Sequence, residues 1–510
     1  MSSQIASQAK PVSSSYGQIL KSSSIIGGAQ GINYLISMIR IKAVAMLLGP
    51  SGVGLLGLYT AATTLVATIA GLGLDSSGVR EVAEAHGSGD AERIARTIKT
   101  LRRVCWATGI LGWILTATLS YPISVWTFGS GGRAWAVAIL GATLLLNSIA
   151  SGRNSVIQGT RRIGDLARLN VLGAIVSTLV AVGVYACLGE KGIVPVMIIT
   201  ASINLCFAWW FAKRIQTVSV TQTWSETLRN SKQLVSLGVA FMYGALLSSI
   251  LNLVIRSLIV RKLGLDANGI YQAAWGISGM FAGFILGAMG TDYYPRLTAI
   301  AHDNHQVNRL VNEQIEVGAL LALPGLLATL SFAPWLMHFF YSTKFLSGAA
   351  LLPYAAIGVF GQVLSYPLGF VQRAKGRTGW IFVSQTHVNV LNLVLASVLI
   401  PTYGVVAAAW AFALTTYIHG IVVFCIARQI SHFAWTAQSA RLALSAAGMI
   451  SIGFASQLFT SGWLEFVLGV VITFLGSLFS LRGITSRLGA EHRIVKMALK
   501  FPGGRFACGL

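Results

Sequence analysis

Leu48-Gly49-Pro50-Ser51-Gly52-Val53-Gly54 turns the chain between two long apolar runs, and Leu263-Gly264-Leu265-Asp266-Ala267-Asn268-Gly269 does the same in the second half. The spacing of Gly49 and Gly54 is kept by Gly264 and Gly269. Arg40 and Lys42 precede the first turn inside an apolar stretch, and Arg256 precedes the second. The helix after each turn ends on an acid, Gly73-Leu74-Asp75 and Gly290-Thr291-Asp292, and a polar segment follows, with His86 in one copy and His302 in the other. Self-similarity of this kind predicts two membrane halves of one plan.

Composition agrees. Of 510 residues, 55% are hydrophobic and only 10% charged, with a mean hydropathy of +0.70. A soluble domain carries about 25% charged residues, so most of this chain must face lipid or other apolar helices. The net charge of +22 does not mark a nucleic-acid binder. Such a protein gathers its cations on a solvated face, whereas here they sit in short segments between apolar runs, as in cytoplasmic loops. The five cysteines are scattered without a CxxC pair, and read as small hydrophobes rather than metal ligands or disulfide partners.

Hydropathy and turn signals predict an all-α integral membrane protein of about 14 transmembrane helices, or twelve if two weak segments merge or stay interfacial, with six spans in each half and two more at the C-terminal end. A polar tail (1–24) without a cleavage signal precedes the first six spans (25–211). A linker (212–233) leads to the second six (234–427), two further spans (428–481) and a basic tail (482–510). Within the first half, 75–103 reads as a polar linker. From Asp90 its cations recur at helical spacing against Ile94, Ile98 and Leu101, predicting an amphipathic helix on the membrane surface. Pro324 and Pro334 predict bends in the ninth span. With the N-terminus inside, Arg133, Lys191, Arg256, Arg261, Lys262 and Lys344 fall on or near the outer side and Arg40 and Lys42 lie in the first span. All the other Lys and Arg fall on inner segments. Both termini are therefore expected in the cytoplasm.

Cations inside apolar spans carry the strongest chemical signal, because an ionised group in hydrocarbon needs a wet cavity, a partner or the interface. Asn33, Ser37 and Arg40 share one helical face; so do Ser249, Asn252 and Arg256. Each half thus has a polar stripe ending in a guanidinium, a group suited to phosphate. Snorkelling to headgroups is the alternative for both arginines. Lys42 points away from Arg40. Asn147, Ser151 and Asn154 share a face with Arg153 beside it, and Gln385, Asn389 and Asn392 share another. Such amides bind sugar hydroxyls or join helices by hydrogen bonds. Asp75 and Asp292 are candidates for gating pairs or for caps of the linkers that follow. His387 and His419 are either structural or sites for a coupled proton. No GxxxxGK[ST] loop is present, which excludes direct ATP hydrolysis, and the outer turns are too short for a catalytic domain.

The order of elements resembles the polysaccharide-transporter branch of the multidrug/oligosaccharidyl-lipid/polysaccharide exporters, most of all O-antigen flippases of the Wzx type. The resemblance rests on the Leu-Gly-x-x-Gly turn after an Arg-bearing span and on Gly71-Leu72-Gly73-Leu74-Asp75. Gly89-Asp90-x-x-Arg93, Gly264 to Tyr271, and Asp292-Tyr293-Tyr294-Pro295-Arg296-Leu297 complete it. It covers 22 to about 481. It implies two six-helix bundles forming a V around a cavity, and a non-enzymatic flippase of the bacterial inner membrane without cofactors. The implied cargo is an undecaprenyl-diphosphate-linked glycan, moved to the periplasmic leaflet. Membrane lipids, a polysaccharide polymerase and a chain-length regulator are the implied partners. A proton or sodium gradient, or consumption of the product, would supply the energy. A peptidoglycan-precursor flippase and an ion-coupled drug exporter of the same superfamily stay open as alternatives.

Overall fold

The structure, a computed structural model, describes the backbone of residues 13–459 and 462–488 and most side chains from Gln30 onward; the side chain of Asp292 lies outside the described residues. All regular structure in it is helical: α1 (Ser13–Gly71), α2 (Leu74–Gly87), α3 (Ala91–Thr118), α4 (Ser120–Phe128), α5 (Ala134–Gly159), α6 (Ile163–Leu188), α7 (Ile193–Ala212), α8 (Trp224–Leu263), α9 (Leu265–Ala299), α10 (Asn304–Ser331), α11 (Ala333–Phe340), α12 (Leu352–Ala374), α13 (Thr378–Tyr403), α14 (Val406–Ser431), α15 (Ala437–Phe459) and α16 (Trp463–Leu488), with short 3₁₀ turns between some of them. Among the described residues, ten helical runs are long and apolar enough to cross a bilayer, or eleven when α3 and α4, bent by 60°, count as one span. This is a multi-pass, all-α membrane protein.

Two compact units share the chain. One holds residues up to Leu48 together with Tyr59–Leu246; the other holds Gly49–Leu58 and everything from Leu247. The repeat explains this division. Gly49 is the single non-helical residue inside α1 (φ 64°, ψ −173°), and Gly264 takes nearly the same shape between α8 and α9 (φ 91°, ψ 174°). Only glycine tolerates such angles without strain. The two turns then meet within the second unit. A Cβ on Gly54 would strike the carbonyl of Leu265, one on Gly269 would strike that of Pro50, and Asn268 Nδ2 donates to the Gly54 carbonyl at 2.6 Å.

The linker after the second span differs from the surface helix predicted for it. Asp90 caps α3, its Oδ1 accepting from the backbone N–H groups of Glu92 and Arg93 at 2.8 and 3.2 Å. The helix then runs unbroken into the third span, because nothing in 91–118 stops it. Arg93, Arg96 and Lys99 have protein partners, the first two from exposed positions. Arg93 pairs with Glu84 at 2.7 Å and Arg96 with Glu92 at 2.5 Å, while Lys99 donates to the Val220 carbonyl at 2.6 Å. The break comes instead at Leu119, before Pro122 in the first turn of α4. Of the two predicted proline bends, α10 carries Pro324 without interruption, and Pro334 opens α11.

In the second unit α10 is central. Leu320, Leu323, Leu327 and Leu330 are wholly buried on it. Gly469, Gly476 and Gly483 of α16 lie seven residues apart and seat Ser331, Leu327 and Leu320. Small residues at heptad spacing let helices approach closely where dispersion must hold them. Glu316 of α10 closes the same seam: Arg487 donates to it from Nε and Nη2, each at 2.7 Å, and the Ser439 hydroxyl of α15 donates at 2.6 Å. Arg487, expected in a basic tail, is thus part of the last helix.

Candidate functional site

Amide and hydroxyl side chains on five helices of the second unit face one cavity of about 390 Å³. Asn252 enters from α8, Gln362 and Gln372 from α12, Gln385, Asn389 and Asn392 from α13, and Thr415, Thr416 and His419 from α14; Tyr271 and Trp275 supply aromatic walls from α9. The period of 3.6 residues brings Gln385, Asn389 and Asn392 to one side. The charged lining is cationic: Arg373 stands in the last turn of α12, and no Asp or Glu lines the cavity among the described residues. Such a surface offers many neutral hydrogen bonds and no anionic partner for a cation.

Arg256 lies one turn beyond Asn252 and is 5% exposed. It does not line the cavity; it backs it. Its Nε donates to Asn252 Oδ1 at 2.7 Å, and its guanidinium stands 5.3 Å from the ring centre of Tyr271. Its Nη1 has no hydrogen-bond partner. Gly57 makes the room: a Cβ there would come within 2.8 Å of Nη1 and 3.0 Å of Gln272 Oε1. The wall of the cavity therefore contains a buried, only partly satisfied guanidinium, a state that costs several kcal/mol unless an anion approaches. Ser248 rather than Ser249 faces the cavity. His387 and His419 stack with ring centres 6.1 Å apart, and both Nδ1 atoms lack partners.

The candidates of the first unit are more dispersed. Arg40 and Lys42 are half-buried on α1, and Asn33 Oδ1 is buried without a partner. Asp75 is engaged locally: the Ser151 hydroxyl donates to its carboxylate, and the Ser155 hydroxyl to its backbone carbonyl at 3.4 Å. Asn147 is exposed, and Asn154 keeps a buried, unpartnered Oδ1. Arg153 borders a separate cavity with Arg102 and Lys213.

The family described as polysaccharide biosynthesis protein matches residues 19–301, more than half of the chain. The chain belongs to that family. With it comes membership of the polysaccharide-transporter branch of the exporter superfamily; this is a transport protein and not an enzyme. Among curated relatives, the lipid III flippase of Escherichia coli K12 is 23% identical over 74% of this chain and 90% of its own length. The probable low-salt glycan biosynthesis flippase Agl15 of Haloferax volcanii is 22% identical over 85% and 89%. The lipid II flippase MurJ, in an inward closed conformation, shares the fold at a TM-score of 0.63, with 14% identity over 91% of this chain and 99% of its own. An inward-facing multidrug resistance MATE transporter does so at 0.62, with 17% identity over 78% and 95%.

Within this polysaccharide-transporter chain, sequence reading found Asn252, Gln385, Asn389 and Asn392 because helical spacing and polarity mark them. It missed Gln362, Gln372, Thr415 and Thr416. These polar residues lie in helices without a readable polar stripe, and only the packing of α12, α13 and α14 shows which of them look inward.

Proposed function

We propose that the protein flips an undecaprenyl-diphosphate-linked oligosaccharide, an O-antigen or related surface polysaccharide unit, from the cytoplasmic to the periplasmic leaflet by alternating access. The cavity of the second unit carries this reading: amides and hydroxyls suit sugar hydroxyls, and a buried arginine behind them suits a diphosphate. Asn252 and Tyr271 would pass the charge of Arg256 to the ligand. Arg40, Lys42 and Asn33 would serve an anion from the first half, with Asn147 and Asn154 as further polar contacts and Ser249 on the stripe of α8, whereas Arg153 borders a separate cavity. Asp75 and Asp292, at matching places in the two copies, would act in gating. The absence of acids from the described cavity lining disfavours an exporter of cationic drugs. A peptidoglycan-precursor flippase is the second reading, favoured by the cationic cavity and by the fold shared with MurJ.

The scheme includes fourteen spans, with both termini in the cytoplasm of a bacterial inner membrane. The break at Gly49 and the 3₁₀ turn at Gly189–Gly192 each divide one long helical run into two membrane-length pieces. The six-helix bundles, a linker near 212–233 and two added helices belong to the same proposal, as does coupling to a proton or sodium gradient, with His387 and His419 as the candidate proton sites. The deciding experiment is deletion of the gene followed by leaflet-resolved analysis of lipid-linked glycans. An oligosaccharide-lipid trapped on the cytoplasmic leaflet is the expected result. An accumulated peptidoglycan precursor would select the second reading.

A further inference from the structure

Most cations at the polar end of the first unit are spoken for. Arg93, Arg96 and Lys99 have partners, Arg103 donates to Thr227 Oγ1 at 2.7 Å, and Arg162, Arg168 and Arg214 surround Asp165. Arg102, Arg153 and Lys213 differ. They come from α3, α5 and the end of α7, border one cavity of about 330 Å³, and have no acid within ion-pair distance among the described residues. Arg153 is half-buried and its Nε is buried without a hydrogen-bond acceptor. The rest of the cavity is largely apolar, with Ile98, Ile149 and Val156 on its walls and Trp209, whose ring lies 5.3 Å from Lys213 Nζ, at its side.

Three like charges around one hollow repel one another unless an anion joins them, and a buried guanidinium needs an oxygen acceptor. We infer that this cavity binds the phosphate of an anionic phospholipid, with the acyl chains along the apolar wall. The site shares no residue with the cavity of the second unit, so the lipid is a bound partner of the transporter and not its cargo. A free phosphate offers the same kind of oxygen acceptor but has no use for Ile98, Ile149 and Val156; the amphiphile matches both parts of the lining. Arg153 supplies the buried hydrogen bond, and Arg102 and Lys213, both exposed, close around the headgroup from the aqueous side.

The test is native mass spectrometry of the full chain in neutral detergent, titrated with phosphatidylglycerol, with phosphatidylcholine of the same acyl chains, and with inorganic phosphate. Phosphatidylglycerol should be retained preferentially. The double variant Arg102→Gln/Lys213→Gln, which changes only exposed side chains and leaves the fold intact, should weaken its binding about fivefold per cation removed. Arg153→Gln should weaken it further, and Arg153→Lys should restore part. Equal retention of phosphatidylglycerol by the wild type and a monodisperse double variant would overturn the site. Retention of phosphatidylcholine to the same degree, or of inorganic phosphate in place of lipid, would equally refute a phospholipid-phosphate site. No transport step enters the readout, so its failure leaves the proposed flippase activity untouched.

Discussion

Gly269 rests directly on the carbonyl of Pro50, leaving no room for a side chain between the two turns of the repeat. Gly54 stands in the reciprocal position, against Leu265 O and 2.8 Å, by its missing Cβ, from Gly269 N. Gly269→Ala and Gly54→Ala should therefore each force the turns apart. Overpacking of this kind costs about 1–3 kcal/mol, and both variants should insert normally yet unfold earlier in detergent. Gly264→Ala would strain the backbone without touching Pro50, and separates the two effects. Wild-type unfolding midpoints for both Gly269→Ala and Gly54→Ala would show that the turns do not meet.

Arg256 separates anion binding from snorkelling. Arg256→Ala should abolish most transport while membrane abundance stays high. Arg256→Lys should recover only part, since it keeps charge but loses the fork that reaches Asn252. Arg256→Glu should be worse than alanine. Snorkelling predicts that lysine replaces arginine fully. The same series at Arg40 shows whether both halves of the repeat serve the anion.

Glu316 and Arg487 can be tested as a seam. Glu316 is buried and Arg487 largely so. Glu316→Gln should lower stability by about 1–3 kcal/mol, the cost of leaving a buried charge-assisted bond unmade. Glu316→Gln with Arg487→Met should cost less than the sum of the single changes, because the second change removes the orphaned charge. Strict additivity in thermal unfolding followed by tryptophan fluorescence would place the two residues in separate structures.

Topology is open to thiol labelling in a cysteine-free background. Gly132 is exposed, and a side chain there meets only Ser130 Oγ at 4.0 Å, whereas one at Gly131 would collide with Tyr121. Gly132→Cys should react with an impermeant reagent from the periplasm, and Thr221→Cys should not. Strong outside labelling at Thr221 would reverse the proposed orientation.

Much of this architecture was legible in the residues. The glycine spacing announced the two turns, and φ values of 64° and 91° at Gly49 and Gly264 are the physical reason for it. The helical face of Gln385, Asn389 and Asn392 was readable because a period of 3.6 is local. What escaped was long-range. Ion pairing between Glu316 and Arg487 joins residues 171 positions apart, and each alone reads as a cation or acid at a span end. The cations of 93–99 looked free for lipid because Val220, the acceptor for Lys99, lies 121 residues away. The Asn33–Arg40 stripe was visible, but its neighbours depend on packing that spacing does not encode.

The Asn268–Gly54 hydrogen bond spans 214 residues, and that separation has a consequence during synthesis. Chains emerge from the ribosome at about 5–20 residues per second, so the first hairpin waits on the order of 10–40 seconds for the turn that covers it. Throughout that interval the Gly54 carbonyl lacks its Asn268 donor and the Pro50 carbonyl is not yet covered by Gly269. Biogenesis must therefore keep the opening hairpin from engaging other helices until translation has passed Gly269.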